Sequence, residues 1–336
     1  RRGIVERTKW IDQAKGLGIV FVVLGHACVP SLVAISGFTE KLYLFIYLFH
    51  MPVFMYLSGY AFFHFSRKHS LPTFVQRKVV TLLRPYFFYV VAMYLSFWSI
   101  HTFSIFRFVL EENTQFSMKN ILKDIILCDG TVDKHLWYIY LLFFVSIASY
   151  IIDKSVVIKW ILVALCAIIG PLLFSKNLPT ICNLPYYLPF FFLGKLDLYD
   201  SIKKISKNFR FVFFIAYMVG GTIYACNIQD LKKLGLGLAY IKYIAGYIGI
   251  VFFFVILGFI EKKEISKWFC YLGEKSFVIY LLHQPIIVSG TALLSYKLIH
   301  SPIVSIIIST FVGVVTPVLL EKMYGKVGSY VGGKNS

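Results

Sequence analysis

Residues 10–27 read WIDQAKGLGIVFVVLGHA, a stretch that combines membrane-length hydrophobicity with a charged pair and a histidine. At 100° per residue, a helix places Asp12, Lys15, Val22 and His26 on one stripe. Lys15 and His26 are then about 16 Å apart along the helix axis, at a rise of 1.5 Å per residue. Ionisable groups are costly inside a membrane and usually face the interior of a helix bundle. The stretch therefore predicts a transmembrane helix whose polar stripe marks a functional path.

The composition of the whole chain is that of a membrane protein. The 336 residues are 58% hydrophobic and 15% charged, whereas soluble domains are about 25% charged. A bilayer can solvate this much apolar surface, and a soluble core cannot. The net charge of +18 is explained by Lys and Arg in cytoplasmic loops, so we expect membrane lipids and no nucleic acid as partners. We predict one all-α integral membrane domain over residues 1–336.

Apolar segments of about 20 residues are long enough to span a bilayer, and ten such segments are predicted. They cover 11–30, 42–63, 79–101, 135–152, 156–174, 184–199, 209–226, 240–260, 276–297 and 302–320. An even number of spans places both termini on one side. Most of the 34 Lys and Arg residues fall on that side, so we expect both termini in the cytoplasm.

The longest predicted loop, 102–134, lies on the opposite side of the membrane. Within it, Met118, Ile121 and Ile125 recur at helical spacing, with polar residues on the other face. This pattern predicts a short amphipathic helix at the outer interface. Such a helix would either seal the bundle or form a wall of a substrate cleft.

Two further histidines lie inside predicted spans and are candidates for acid–base chemistry or substrate binding. His50 belongs to FHMPVFMYLSGYAFF, where Ser58 and Gly59 follow within a few turns, and His283 belongs to SFVIYLLHQPII. A buried, hydrogen-bonded histidine with a structural role is the alternative at each position. Small residues such as Ser58 and Gly59 also allow close packing of helices.

A basic cluster at the start of the third span contains Arg77, Lys78 and Arg84. These side chains would either set the topology and bind lipid headgroups or clamp a phosphorylated ligand. Trp137, in the segment HLWY, belongs either to an interfacial aromatic belt or to a surface on which a sugar stacks. The six cysteines are widely separated and form no CxxC motif, and HExxH is absent from the sequence, so we expect no metal site.

Taken together, these segments resemble the acyltransferase-3 family of integral membrane acyltransferases over nearly the whole chain. A narrower similarity is to the branch of fucose 4-O-acetylase-like proteins. The landmarks are the 10–27 stretch quoted above, FHMPVFMYLSGYAF, the segment 77–86, HLWY, YYLPFFFLGK and YLGEKSFVIYLLHQP.

The resemblance implies about ten core helices in a bacterial inner membrane and transfer of an acetyl group from acetyl-CoA. The implied acceptor is a hydroxyl of an exported glycan, such as lipopolysaccharide or capsule, or of a lipid-linked sugar. The family's first helix carries a basic residue, often Arg, before an essential histidine; Lys15 and His26 match this pair. Lys keeps the charge and loses the fork geometry of Arg.

By the same resemblance, Arg77, Arg84, Ser58 and Gly59 match family positions, and we expect them to bind the donor together with Lys78. His26 would either deprotonate the sugar hydroxyl or carry the acetyl group as an intermediate. Asp12 would pair with Lys15 or organise the entrance. His283 and His50 are second candidates for acid–base work. The alternative function is a transporter or flippase of a glycolipid or small anion, for which polar groups at mid-membrane are equally suitable.

Overall fold

The computed structural model describes residues 2–66, 70–103, 118–128, 135–176, 178–261 and 263–323, and the regular elements in these ranges are helices. The fold class predicted from the sequence, an all-α protein, is confirmed for this part of the chain. The helices in the first half are α1 (Arg2–Ala27), α2 (Pro30–Ile35), α3 (Gly37–Ile46), α4 (His50–Ala61), α5 (Leu71–Lys78), α6 (Arg84–Phe103), α7 (Met118–Leu127) and α8 (Trp137–Ile152). The remaining helices are α9 (Ile158–Phe174), α10 (Leu184–Leu193), α11 (Leu198–Lys203), α12 (Lys207–Cys226), α13 (Ile228–Lys232), α14 (Leu236–Ile260), α15 (Ile265–Glu274), α16 (Ser276–Leu282), α17 (Ile286–Ile299) and α18 (Pro302–Met323).

Five helical segments within the described residues are long and apolar enough to cross a membrane. They are Gly37–Phe65, Leu71–Ser96, Lys207–Cys226, Leu236–Ile260 and Pro302–Met323. The first two contain short π-helical turns, Phe62–Ser66 and Val79–Leu83. Helices α8 and α9 are apolar but shorter. The chain is therefore a multi-pass membrane protein by the length and composition of its helices.

The predicted span 276–297 is broken in the structure. Helices α16 and α17 form a pair bent by 63°, and with them the number of candidate spans rises to six. The break covers His283, Gln284 and Pro285, whose Gln284–Pro285 peptide bond is cis. Pro285 has no backbone N–H to donate, which disfavours a continuous helix at this point. The bend places a non-helical backbone segment in the interior of the bundle, where protein atoms surround it.

Helix α1 is the central element, and it packs against α4, α15, α16, α17 and α18. The closest approach is to α15. A Cβ atom at Gly16 would lie 1.9 Å from the carbonyl oxygen of Phe269, and one at Gly273 would lie 1.8 Å from the carbonyl oxygen of Asp12. The missing side chains of these glycines thus allow backbone contact between the two helices.

A second close contact joins α4 to α10. A Cβ atom at Gly59 would lie 1.9 Å from the carbonyl oxygen of Phe191, and one at Gly194 would lie 2.2 Å from the amide nitrogen of Tyr60. The Tyr56 hydroxyl donates to the backbone beyond α10, at 2.7 Å from the Leu196 carbonyl oxygen. These contacts fix α4 against the core, and α4 supplies one wall of the site described below.

Helix α7 confirms the helix predicted within the loop 102–134; the flanking residues 104–117 and 129–134 of that loop lie outside the described part of the chain. Ile121 and Ile125 pack against the hydrophobic core. Leu122 and Ile126 are exposed. The Tyr140 hydroxyl donates to the Ile126 carbonyl oxygen at 2.7 Å and joins α7 to α8.

Candidate functional site

A cavity of about 700 Å³ lies between α1, α4, α8, α15 and α16. Its lining on α1 includes Asp12, Lys15 and Val22. Asp12 and Val22 are ten residues apart, which corresponds to about 15 Å along the helix axis. The cavity lining thus includes Asp12, Lys15 and Val22 of the predicted polar stripe, whereas His26, at the end of that stripe, is not part of the described lining. Its middle walls are apolar and include Met51, Leu57, Leu142 and Phe277.

One end of the cavity is charged. Asp12, Lys15, Lys78 and Glu274 line it. The Lys15 ammonium lies 3.7 Å from the Asp12 carboxylate, and the two side chains are 38% and 32% exposed. Ion pairs this accessible to water contribute little to stability. Lys15 therefore remains able to contact an anionic ligand.

Lys78 is a second cation of the lining, and its ammonium lies 5.5 Å from the centre of the Phe74 ring. Phe74 contacts Phe62 at the C-terminal end of α4. At this end of α4, Tyr60 packs on Trp10 of α1. Lys78 therefore belongs to the same end of the cavity as Lys15.

The other end of the cavity adjoins a cluster of histidines. Val22 and Tyr280 line this end, and each lies about one helical turn from a histidine of the cluster, His26 and His283 respectively. The ring centroids of His26 and His283 are 5.1 Å apart. The structure thus brings together two histidines that the sequence predicted separately, on α1 and at the break after α16.

The hydrogen bonds of His283 determine which of its nitrogens carries the proton. Its Nδ1 atom lies 2.8 Å from the Tyr280 carbonyl oxygen and 3.0 Å from that of Ile279. Carbonyl oxygens can only accept, so Nδ1 carries the hydrogen in the neutral ring and Nε2 carries a lone pair. The side chain is fully buried, and among the described residues Nε2 has no hydrogen-bond partner. Its Nε2 is therefore an unused basic atom facing the interior.

His135 is a member of the cluster that the sequence analysis did not assign. Its ring centroid lies 5.3 Å from that of His283, at an interplanar angle of 79°. The Tyr280 hydroxyl donates to the His135 carbonyl oxygen. His135 begins the HLWY segment, in which the sequence drew attention to Trp137 instead. His135 could have been identified from the sequence, because it is an ionisable residue at the start of an apolar helix, a position that often has a function.

Gln284 holds the end of α1 against the broken helix. Its Nε2 atom donates to the His26 carbonyl oxygen at 3.3 Å, and its Oε1 accepts from the Ser289 hydroxyl at 2.9 Å. The two bonds join the backbone of His26 to the start of α17. The separation of the His26 and His283 rings is thereby restrained by the residue that follows His283.

His50 and Trp137, the residues predicted to bind substrate, lie at different distances from the cluster. His50 is buried, and its Nδ1 lies 2.9 Å from the Ile46 carbonyl oxygen. The Tyr47 ring contacts both His50 and His26, with centroid distances of 4.6 Å and 6.4 Å respectively. Trp137 packs on Tyr187 at 5.1 Å and is not among the described residues that line the cavity.

The structure places the five residues predicted to bind the donor in three different environments. Lys78 and Ser58 line the cavity. Gly59 lies at the backbone contact with α10. Arg77 and Arg84 are exposed, and within the described part of the chain neither belongs to the cavity lining. The sequence pattern of one helix could not show which of these residues line the cavity. That depends on which neighbouring helix covers each position.

Comparison with known proteins gives one assignment. The family model described as an acyltransferase domain, acyltransferase-3, matches residues 8–322. No curated protein and no solved structure matches the chain. The matched range includes both ends of the cavity and the cluster of His26, His135 and His283.

Proposed function

Because the chain belongs to the acyltransferase-3 family, we propose that it transfers an acetyl group from cytoplasmic acetyl-CoA to a hydroxyl of an exported glycan. Lipopolysaccharide, capsule or a lipid-linked sugar precursor would be the acceptor. The chain is a membrane acyltransferase by its family; acetyl-CoA and the sugar are the specific part of the proposal. The resemblance to fucose 4-O-acetylase-like proteins is the reason for choosing a sugar hydroxyl.

We propose a topology with ten spans in a bacterial inner membrane and both termini in the cytoplasm. The asymmetric distribution of Lys and Arg supports this orientation. In this topology the charged end of the cavity, with Lys15 and Lys78, faces the cytoplasm where acetyl-CoA is present. His26, at the other end of α1, faces the side on which exported glycans are found.

The cavity along α1 is the observation that carries the proposal. Its volume of about 700 Å³ falls within the range of pockets that hold small ligands and cofactors. Lys15 and Lys78 would bind the phosphates of the donor, since ammonium groups at a partly accessible site attract phosphate oxygens. The apolar middle would hold the thin arm that carries the acetyl group toward His26 and His283.

The two histidines would carry out the proton transfers of the reaction. A neutral imidazole accepts the proton of the sugar hydroxyl while the hydroxyl oxygen bonds to the acetyl carbon. The carbon–sulfur bond breaks, and the thiolate of coenzyme A takes up the proton from the imidazolium, which returns to its neutral form. The lone pair on His283 Nε2 supports its assignment as the base, with His26 beside the acetyl group. Alternatively His26 accepts the acetyl group first, and the sugar hydroxyl then displaces it.

The proposal is tested by acetate release from surface glycans of cells that carry either the wild-type protein or His26→Ala, at matched membrane levels. We expect O-acetylation to disappear in the variant while the folded protein persists. Unchanged acetylation would overturn the assignment of His26. Counterflow of a sugar substrate in liposomes without any acyl-CoA would instead support a transporter.

A further inference from the structure

The hydroxyl groups in the cavity wall show an ordered direction of hydrogen bonding. The Tyr138 hydroxyl lies 3.1 Å from the Phe54 carbonyl oxygen and 2.7 Å from the Ser58 hydroxyl. A carbonyl oxygen can only accept, so Tyr138 uses its single hydrogen on Phe54. The Ser58 hydrogen is then directed to the Tyr138 oxygen. Ser58 and Tyr138 both belong to the cavity lining, and in this arrangement neither hydroxyl has a hydrogen left to donate.

The other three hydroxyl side chains of the cavity lining also donate their hydrogens to backbone carbonyl oxygens. Thr81 donates at 2.9 Å, Ser276 donates at 2.7 Å, and Tyr280 donates as well. Their acceptors are the backbone carbonyl oxygens of Arg77, Gly273 and His135, in that order. None of the three has a hydrogen left to donate to a ligand.

The lining therefore has two chemically different parts. Among the side chains of the described lining, Lys15 and Lys78 are the hydrogen-bond donors, and both stand at the charged end. The neutral hydroxyls of Ser58 and Tyr138 offer acceptors. A ligand segment that carries N–H groups can satisfy them, whereas an ester-linked acyl lipid brings only further acceptors. Two buried acceptors that face each other with no hydrogen between them are both left unsatisfied, which costs free energy.

From this arrangement, and resting on the proposed function above, we propose that Ser58 and Tyr138 form a selectivity site for a secondary amide N–H in the arm of the acyl donor. The matching ligand is a thioester on a pantetheine-type arm, which contains two such amides. The site would select this class of donor over ester-only acyl lipids. Tyr138 has not been assigned a role by its sequence pattern or by the family match.

The test uses purified full-length protein, a fixed glycan acceptor and three acetyl donors. These are acetyl-pantetheine and two analogues in which one or the other amide N–H is replaced by an ester oxygen. For wild type we expect one analogue to raise the donor KM about tenfold, the effect of one lost neutral hydrogen bond with an acceptor left unpaired. Equal KM values for all three donors would overturn the proposal.

Two variants locate the effect. In Ser58→Ala and in the nearly isosteric Tyr138→Phe, we expect the KM ratio of analogue to amide to fall to about two or less. Ser146→Ala is the matched control, because Ser146 is a fully buried serine on the same helix as Tyr138 and lies outside the described cavity lining. Its ratio should stay at the wild-type value. A ratio that survives in both cavity variants would overturn the proposal.

Calorimetric titration with coenzyme A separates this proposal from the one on which it rests. If wild type binds coenzyme A and uses acetyl-CoA but shows no amide preference, the selectivity site alone is wrong. If wild type neither binds coenzyme A nor uses acetyl-CoA, both proposals are wrong.

Discussion

The two ends of the cavity along α1 use ionisable side chains in opposite ways. At one end Lys15 and Asp12 are about one-third exposed and 3.7 Å apart, so water screens their interaction. At the other end His283 is fully buried, and two backbone carbonyl oxygens fix its Nδ1. The exposed ion pair is suited to attracting a charged ligand in several orientations. The buried, hydrogen-bonded His283 is suited to proton transfer at a single atom, Nε2.

In the proposed function, phosphate binding and proton transfer are therefore separated by about 15 Å along α1. A group that binds phosphate benefits from access to water, because the ligand must enter and leave. A group that acts as a base benefits from a fixed tautomer and a dry environment. Substitutions at the two ends should therefore change different kinetic constants.

The largest effect is expected at the buried end, for His283→Asn. The amide nitrogen of Asn can still donate to the Tyr280 carbonyl oxygen, so the fold should persist, but the basic atom is lost. We expect the rate of acetyl transfer to fall by about 10²–10⁴, measured as acetylated glycan formed by equal amounts of purified protein. If His26 and His283 act as one unit, the double variant with His26→Ala should lose about as much as either single variant.

The exposed His300 offers a matched control for this experiment. It has a left-handed backbone conformation, with φ of 56°, which Asn tolerates well. His300→Asn should keep wild-type activity. A variant at His283 that retains more than half of the wild-type rate would contradict the assignment of a base at this end.

A smaller effect is expected at the charged end, for Lys78→Ala. Loss of one charge-assisted hydrogen bond should raise the KM for acetyl-CoA about tenfold or more with little change in kcat. The KM for acetyl-pantetheine, which lacks the nucleotide phosphates, should stay the same in the variant. Initial rates at varied donor concentrations check both constants. A fall in kcat with unchanged KM would contradict the proposal that the charged end binds the donor and the histidine end carries out proton transfer.

The smallest effect is expected for Arg84→Ala. Arg84 is exposed and outside the described cavity lining, so it can act on the donor only at long range. We expect a rise of about twofold in the KM for acetyl-CoA at low salt. The difference should vanish near 1 M salt, where the screening length is about 3 Å. A tenfold effect that persists at high salt would place this arginine in direct contact with the donor.

Much of the architecture could be predicted from local sequence patterns. The apolar segments predicted the all-α membrane fold, and the spacing of Asp12, Lys15 and Val22 predicted the helix face that lines the cavity. Both are properties of a single helix or of composition. Helix α7 was predicted in the same way, from the period of its apolar residues.

Other features depended on contacts between segments far apart in sequence. Two contacts, His135 with His283 and Ser58 with Tyr138, join different segments of the chain. Such contacts produce no periodic pattern in the sequence of either segment. The break between α16 and α17 was not predicted either. Pro285 marked its position, but a proline in an apolar segment is also compatible with a kinked continuous helix.

Hydropathy, motif order and helical period specify the helical membrane fold, the family resemblance and the polar face of α1, and all three can be read along the chain. Which polar groups lie together depends instead on how the helices pack. That packing buries His283 beside His26, leaves Arg77 and Arg84 exposed, and directs the Tyr138 hydroxyl toward the Phe54 carbonyl oxygen. The physical reason is that burial and hydrogen-bond direction at one position depend on the helices that pack around it, which the local sequence does not specify.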